Sequence, residues 1–335
     1  MIRTLIVDDS PLVRSILRDF LESEGSFEIV DEAENGQDGV NKTKECNPDL
    51  VTMDYEMPVM NGLDAIVEIR KFSSCGIVVI STHDTAKMAY EATVKGAHEF
   101  FAKDNFTSKM SDMQRSEIYN TLKHIANLKK KEHVQSEITE QISTVQRKIN
   151  CIVIASSTGG PMALCQLFSV LPADFPVPIL LVQHNTSGFD KGFVQWLDGY
   201  SQLDVKLAEE GIFPFEGNVY VGPTDKHLTV GAEGIAFNFD APVCNQKPSA
   251  DVLFKTAAEH YGDSLISVVL TGMGNDGAEG TRAVKKAGGI TIAQDEATSM
   301  IFGMPQEAIA TGCVDIVLPL NEIAQKLLDL TGGES

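Results

Sequence analysis

Short apolar runs alternate with helix-length segments along the first third of the chain. Five such runs, rich in apolar or β-branched side chains, occur at residues 2–7, 27–31, 49–53, 77–81 and 98–102. Segments such as Leu12–Glu24 and Gly36–Cys46 separate them. Alternation of this kind is typical of repeated βα units, so the pattern predicts a parallel five-stranded α/β sheet.

A second α/β pattern begins after residue 150. Apolar runs occur at residues 151–155, 178–183 and 265–270, and they predict buried parallel strands. Between the two halves, apolar residues recur at near-helical spacing with almost no glycine or proline: Ile118, Leu122, Ile125, Val134, Ile138, Ile142 and Val145. We therefore expect a domain at 1–125, a partly helical linker at 126–149 and a second domain at 150–335.

Composition narrows the classes of protein that fit this chain. The 335 residues are 43% hydrophobic and carry a net charge of −20, which is −10 over 1–104, +3 over 105–150 and −13 over 151–335. Such acidity argues against a nucleic-acid partner. The six cysteines form no C-x-x-C motif, and no signal peptide or long apolar segment is evident. A reduced, cytoplasmic protein without membrane insertion is expected.

Three acidic residues follow predicted strands of the first half. Asp8 and Asp9 follow the first strand and Asp54 follows the third, so their carboxylates should converge at one sheet edge. Unrelated loop acids are a commoner origin of such a pattern. Ser81 and Lys103, however, end the fourth and fifth strands and add a hydroxyl and an ammonium. This combination favours an Mg²⁺ and phosphate site over a chance arrangement.

The motifs Leu5–Ser10 and Met53–Gly62, together with Ser81 and Lys103, resemble the response-regulator receiver domain. The resemblance implies a flavodoxin-like fold in which Asp54 takes a phosphoryl group from a histidine kinase. It further implies two sets of residues in this chain. The Mg²⁺ set is Asp8, Asp9, Asp54 and the backbone carbonyl of Glu56, and the switch set is Ser81, Phe100 and Lys103. Asp104 replaces the family's usual proline after Lys103, so different switching kinetics are expected.

The loop 156–161, Ser-Ser-Thr-Gly-Gly-Pro, follows the first strand of the second half. It lacks the lysine of a P-loop and the glycine spacing of a dinucleotide-binding loop, so a nucleophile is favoured over phosphate binding. Ser157, His184 and Asp276 each follow a predicted strand. Individually, a helix cap, a loop histidine and a turn acid are commoner explanations. Their coincidence at three strand ends favours a Ser-His-Asp triad.

Longer motifs around these residues resemble the catalytic domain of chemotaxis protein-glutamate methylesterases. The matching stretches are 157–160, 183–184, 222–227, 247–254, 271–277 and 302–305. The resemblance implies a Rossmann-like doubly wound domain with Ser157 as nucleophile, His184 as base and Asp276 as orienting acid. It also implies that Thr158 and Met273 lie near the oxyanion.

The same resemblance implies a function for the whole chain. The expected activity is phosphorylation-activated hydrolysis of glutamate methyl esters, with deamidation of glutamines, on chemoreceptors in bacterial chemotaxis. The expected partners are a phosphodonor histidine kinase and methylated chemoreceptors, with Mg²⁺ needed for phosphorylation and no cofactor for the esterase. Two alternatives stay open: a phosphorylation-controlled docking protein with an inactive triad, and a serine esterase acting on another protein ester.

Overall fold

The computed structural model describes residues 1–81, 86–106, 110–128, 148–185 and 187–332. The chain divides into two compact units, Met1–Glu132 and His133–Ser335. Each unit is built on its own parallel sheet and has its own hydrophobic core. Within the described ranges, no helix has the length and apolar character needed to cross a membrane.

The first unit is a parallel sheet with helices between its strands. Its strands are β1 (Ile2–Val7), β2 (Phe27–Ala33), β3 (Leu50–Asp54), β4 (Gly76–Ser81) and β5 (Glu99–Ala102). Its helices are α1 (Pro11–Glu24), α2 (Gly36–Cys46), α3 (Gly62–Arg70), α4 (Ala86–Val94) and α5 (Asp112–Asn127). The strand order β2-β1-β3-β4-β5 is flavodoxin-like, which confirms the predicted five-stranded parallel sheet.

Strand β2 is longer than the predicted run 27–31. It continues to Ala33, which pairs with Val7 of β1. Asp31 and Glu32 interrupted the apolar pattern, but both are only partly buried because β2 lies at the edge of the sheet. Backbone pairing needs no particular side chain, so an edge strand can carry charges that a central strand would exclude.

The second unit contains a larger sheet and a hairpin. Its strands are β6 (Cys151–Ser156), β7 (Ile179–Gln183), β8 (Asp204–Leu207), β9 (Asn218–Val221), β10 (His227–Gly231), β11 (Gly234–Asn238), β12 (Leu265–Val269), β13 (Ile290–Gln294) and β14 (Ile316–Leu318). Its helices are α6 (Gly160–Phe168), α7 (Asp190–Asp198), α8 (Ala250–Tyr261), α9 (Ala278–Lys286), α10 (Met304–Ala310) and α11 (Leu320–Thr331). Strands β10 and β11 form the antiparallel hairpin.

The order of the large sheet determines where a site can form. Its strands run β14-β13-β12-β6-β7-β9-β8, all parallel. The chain leaves β6 towards β7 and later returns on the other side of β6 as β12. Such a reversal opens a crevice at the carboxyl ends of the two central strands, and it confirms the predicted doubly wound fold.

The predicted linker is described only at its ends. Ile118, Leu122 and Ile125 are buried on α5, as their spacing indicated. Ser111 caps this helix by accepting a hydrogen bond from the backbone N–H of Gln114 at 3.3 Å. The remaining apolar positions of the predicted linker, Val134, Ile138, Ile142 and Val145, lie outside the described residues.

Candidate active site

Ser157 stands directly after β6, at the carboxyl edge of the large sheet. Helix α6 begins at Gly160, and its N-cap position is Gly159, with no side-chain cap hydrogen bond. The interpretation of Ser157 as a helix cap is therefore wrong. Its position without a capping role is what a nucleophile requires.

The backbone of Ser157 is held from both sides. Its N–H donates to the carbonyl oxygen of Thr271, which follows β12, at 3.0 Å. Its own carbonyl oxygen accepts from the N–H of Gly160 at 2.7 Å and from Nε2 of Gln183 at 3.1 Å. These bonds tie the loop after β6 to both neighbouring strand ends.

His184 and Asp276 form a buried hydrogen-bonded pair. Nε2 of His184 lies 2.8 Å from Oδ2 of Asp276, and the two side chains are 6% and 2% exposed. Because a carboxylate can only accept, the proton of this bond resides on Nε2. Nδ1 of His184 is buried and has no hydrogen-bond partner among the described residues. The ring therefore keeps one free lone pair, at Nδ1.

The strand register places the serine beside the histidine. Ser156, the last residue of β6, pairs with Gln183, the last residue of β7. Ser157 and His184 therefore each come one residue after the end of two adjacent strands. The backbone N–H of His184 also donates to the carbonyl of Ser156 at 3.0 Å. The predicted triad residues are thus neighbours at the crevice.

The beginning of α8 holds the carboxylate of Asp276. It accepts from Oγ of Ser249 at 2.7 Å and from the N–H groups of Ala250 at 2.7 Å and Asp251 at 3.0 Å. Burial alone would raise the pKa of Asp276. The hydrogen bond from His184, with the donors from α8, outweighs burial and lowers that pKa. The carboxylate stays ionised and oriented.

Asp251 makes the reverse contact to α9. Its Oδ1 accepts from the N–H groups of Gly277 at 3.0 Å and Gly280 at 2.7 Å, at the start of α9. Asp276 precedes α9 and binds α8, so each acid caps the helix of the other. The contacts of Ser249 and Asp251 are not evident from the sequence. A serine and an acid at a helix start signal the helix but not the carboxylate that its N–H groups bind.

A glycine allows the loop after β12 to pass close to Ser157. A Cβ built on Gly272 would lie 2.8 Å from Cβ of Ser157 and would overlap Sδ of Met304. No side chain fits there without displacing the site. Gly272 therefore has a steric function beside Ser157.

Two backbone N–H groups fit the expected oxyanion donors. Those of Ser157 and Gly160 are already used, as described above. Those of Thr158 and Met273 donate to no other backbone carbonyl in the described part of the chain. Thr158 is further fixed because its carbonyl accepts from Oγ1 of Thr271 at 3.0 Å.

The first unit has a separate acidic site at the carboxyl edge of its own sheet. Nζ of Lys103 lies 2.8 Å from Oδ2 of Asp54 and 3.0 Å from Oδ2 of Asp8. Ligand oxygens of Asp8, Asp9 and Asp54 all lie within 4.8 Å of one another. The predicted convergence of three carboxylates is present in the structure.

The charges of this acidic site are poorly compensated. Burial raises the pKa of Asp54 to about 6, and the charge of Asp8 adds to the rise, although Lys103 opposes it. Burial likewise raises the pKa of Asp8. Oxygen ligands held this close without enough positive charge are the donor set that a hard divalent cation prefers, so the residues fit Mg²⁺.

The remaining residues predicted for this site lie at different depths in the first unit. Ser81 is buried at the end of β4, and Phe100 is buried on β5 with its ring 4.5 Å from that of Tyr90. Glu56 lies in the loop after β3, with its side chain exposed. Lys103 begins a short 3₁₀ turn, Lys103–Phe106.

Comparisons with known proteins match both units. The family model described as CheB methylesterase matches residues 152–327, and that described as response regulator receiver domain matches residues 4–114. A Pyrococcus horikoshii protein named protein-glutamate methylesterase/protein-glutamine glutaminase is 38% identical, over 98% of this chain and 93% of its own. A Thermotoga maritima protein of the same name is 37% identical, over 98% of each chain. The crystal structure of the Thermotoga maritima CheB methylesterase catalytic domain covers 55% of this chain and 100% of its own, at 41% identity and a TM-score of 0.53.

Proposed function

The chain belongs to the CheB methylesterase family, and from that premise we propose that it hydrolyses glutamate methyl esters on chemoreceptors and deamidates receptor glutamines. The two substrates correspond to the two activities in the names of its relatives. The observation that carries the proposal is the buried 2.8 Å bond between His184 and Asp276, beside Ser157 at a sheet switch point. A docking protein would have no need to keep that bond.

The proposed chemistry uses Nδ1 of His184 as the base. Oγ of Ser157 attacks the γ-carbonyl carbon of the ester while its proton passes to Nδ1, the ring nitrogen without a partner. Asp276, kept ionised, stabilises the imidazolium through Nε2. The N–H groups of Thr158 and Met273 stabilise the negative charge that develops on the carbonyl oxygen.

Collapse of the tetrahedral intermediate completes the first half-reaction. The bond to the methoxy oxygen breaks, and that oxygen leaves as methanol with the proton from Nδ1. Water, deprotonated by the same nitrogen, then attacks the carbonyl carbon of the acyl-Ser157 ester. The bond to Oγ of Ser157 breaks, and Nδ1 of His184 gives the proton to Oγ. With a glutamine substrate the leaving group is ammonia, and the product is again a glutamate carboxylate.

Regulation is proposed to begin at Asp54. A phosphohistidine kinase supplies the phosphoryl group, and Lys103 pairs with the acceptor carboxylate. Asp8, Asp9, Asp54 and the backbone carbonyl of Glu56 would hold Mg²⁺, which when bound offsets the charge of carboxylate and phosphoryl oxygens. Ser81 and Phe100 then respond to the phosphoryl group, as the matching residues do in receiver domains.

Methanol release from methylated chemoreceptor membranes tests this function. Wild-type protein and Ser157→Ala are compared, each with and without Mg²⁺ and a small-molecule phosphodonor. We expect release by the wild type to rise with the phosphodonor and to fall by about 10⁴-fold in Ser157→Ala. No release by wild-type protein that is phosphorylated on Asp54 would refute the methylesterase proposal.

A further inference from the structure

A buried glutamine lies between the proposed nucleophile and base and takes no part in the chemistry described above. Gln183 is the last residue of β7 and is 2% exposed. Its Nε2 donates to the carbonyl oxygen of Ser157 at 3.1 Å and to that of His184 at 2.9 Å. Its Oε1 accepts from Oγ of Ser156 at 2.6 Å. One amide is therefore bonded to the backbones of both reacting residues.

The partners determine the orientation of this amide. A carbonyl oxygen can only accept, so the two carbonyls must face the NH₂ group of Gln183. If the amide were flipped, Oε1 would face both carbonyl oxygens, and neither carbonyl would accept a hydrogen bond from Gln183. Both protons of the side chain are thus committed to the catalytic loops.

The start of α6 is shaped to accommodate the amide. A Cβ built on Gly160 would overlap Oε1 of Gln183 and would lie 3.0 Å from Oγ of Ser156. The N–H of Gly160 meanwhile donates to the same Ser157 carbonyl that Gln183 binds. Only a residue without a side chain lets the helix begin against the amide of Gln183 and the side chain of Ser156 together.

We propose that Gln183 is a positioning residue that holds Ser157 and His184 in register for proton transfer. The inference rests on the proposed function in taking these two as the reacting pair. Without the Gln183 amide, the carbonyl of Ser157 keeps the bond from Gly160, and His184 keeps its N–H bond to the carbonyl of Ser156 but loses the bond at its own carbonyl. A displacement of about 1 Å between reacting groups costs on the order of 10²-fold in rate.

Two substitutions in the full chain test the proposal. Gln183→Met keeps the approximate volume and removes all three hydrogen bonds, and Gln183→Glu replaces the NH₂ group by an oxygen. The rate at which a fluorophosphonate labels Ser157 is measured together with kcat and KM for methanol release. For Gln183→Met we expect labelling and kcat to fall by about 10²-fold with KM unchanged, because the substrate does not touch this side chain.

Gln183→Glu provides a readout that loss of packing would not affect. At a pH above the pKa of the new carboxyl, a negatively charged carboxylate faces the two carbonyl oxygens, and we expect slow labelling of Ser157. Once protonated, the carboxyl donates one hydrogen bond to one of them. The ratio of variant to wild-type labelling should therefore rise as the pH falls, and the ratio cancels the titration that both proteins share.

Thr291→Val is the matched control. Thr291 is buried near the amino end of β13, away from the crevice, and its hydroxyl donates to the carbonyl of Cys313 at 2.6 Å. We expect this variant to lose a buried hydrogen bond but to label at the wild-type rate. The proposal would be overturned if Gln183→Met were labelled at the wild-type rate. It would also be overturned if the fall in labelling rate equalled the fraction of the variant that thermal unfolding shows to be unfolded.

The two proposals can fail separately. Fluorophosphonate labelling needs a reactive serine but no ester substrate. Wild-type protein that labels at Ser157 yet releases no methanol would refute the methylesterase function and leave the test of Gln183 intact. A pH-independent ratio for Gln183→Glu, with active wild type, would refute only the positioning role.

Discussion

Asp54 and Asp276 occupy similar places in the two units and have opposite acid–base properties. Asp54 ends β3 and Asp276 lies in the loop after β12, and both are almost fully buried, at 4% and 1% exposure. Asp276 accepts hydrogen bonds from Ser249, two backbone N–H groups and His184, and its pKa is lowered. Asp54 pairs with Lys103 beside two other carboxylates, and its pKa is raised to about 6.

The difference follows from what surrounds each carboxylate. Burial raises the pKa of both aspartates, and only the neighbours differ. Donors from the start of α8 solvate Asp276 and hold it in one orientation, which suits an acid that must stay ionised. Asp54 is bordered by like charges, which suits a residue whose oxygens are to bind a cation and a phosphoryl group. An aspartate is thus held by hydrogen-bond donors in the second unit and bordered by other carboxylates in the first.

The largest effect is expected from Asp276→Asn. The amide of asparagine can donate to Nε2 of His184, which would move the ring proton to Nδ1 and leave no base for Ser157. We expect kcat for methanol release to fall by about 10⁴-fold. Phosphorylation of Asp54 should be unchanged and serves as the control. A loss smaller than tenfold would mean that Asp276 does not orient the base.

A smaller effect is expected on the free energy of unfolding, with opposite signs for substitution of Asp54 and of Asp276. Because the pKa of Asp54 in the folded chain is above its ordinary value of 3.8, the folded state binds more protons between pH 4 and 6. The free energy of unfolding contributed by Asp54 therefore falls as pH rises through that window, by at most about 3 kcal/mol. Asp54→Asn should be more stable than wild type at pH 7.5 and equal to it near pH 4.

The opposite holds for Asp276, whose lowered pKa adds stability above pH 3.8 that is lost as the pH falls through its folded value. Asp276→Asn should thus be less stable than wild type at pH 7.5. Hydrogen–deuterium exchange of the β3 amides reports on the first unit and that of the β12 amides on the second, with EDTA present to remove Mg²⁺. Shifts of the same sign in both variants would contradict the comparison.

The smallest expected effect is the loss of stimulation in Asp54→Asn. Coupling between two sites is typically worth 1–3 kcal/mol, so we expect phosphodonor to stimulate wild-type methanol release about tenfold and the variant not at all. Labelling of Ser157 without phosphodonor should be the same in both. Asp19→Asn, which removes an exposed charge from α1, controls for net charge and should respond like the wild type. Equal release with and without phosphodonor in wild-type protein would argue against regulation through Asp54.

Much of the fold, and the sheet edge where the predicted triad residues lie, could be predicted because apolar runs show where strands end. The strands before Ser157, His184 and Asp276 are mostly apolar, since strands covered on both faces favour apolar side chains. In a parallel sheet all carboxyl ends lie at one edge, so three strand ends imply one site. The length of β2 was underestimated for the converse reason, since an edge strand need not be apolar.

The roles of Ser249, Asp251 and Gln183 could not be predicted in the same way. Ser249 is 27 positions from Asp276, and no local pattern indicates that the first turn of α8 meets the loop after β12. Gln183 is adjacent to His184 in sequence, but its bonds to two carbonyls depend on how β6 and β7 end beside each other. These contacts depend on how helices and strand ends are placed relative to one another, which hydrophobic spacing does not specify.

The sequence by itself therefore determined the two parallel sheets, the edge at which each site lies and the residue types available there. The tertiary structure alone decided which nitrogen of His184 faces Asp276 and which helix supplies donors to that carboxylate. It also decided which of the two buried aspartates has a lowered pKa and which a raised one. The physical reason is range: apolar spacing reflects burial of each segment on its own, whereas hydrogen bonds and charge interactions depend on distances of a few ångströms between segments far apart in the chain.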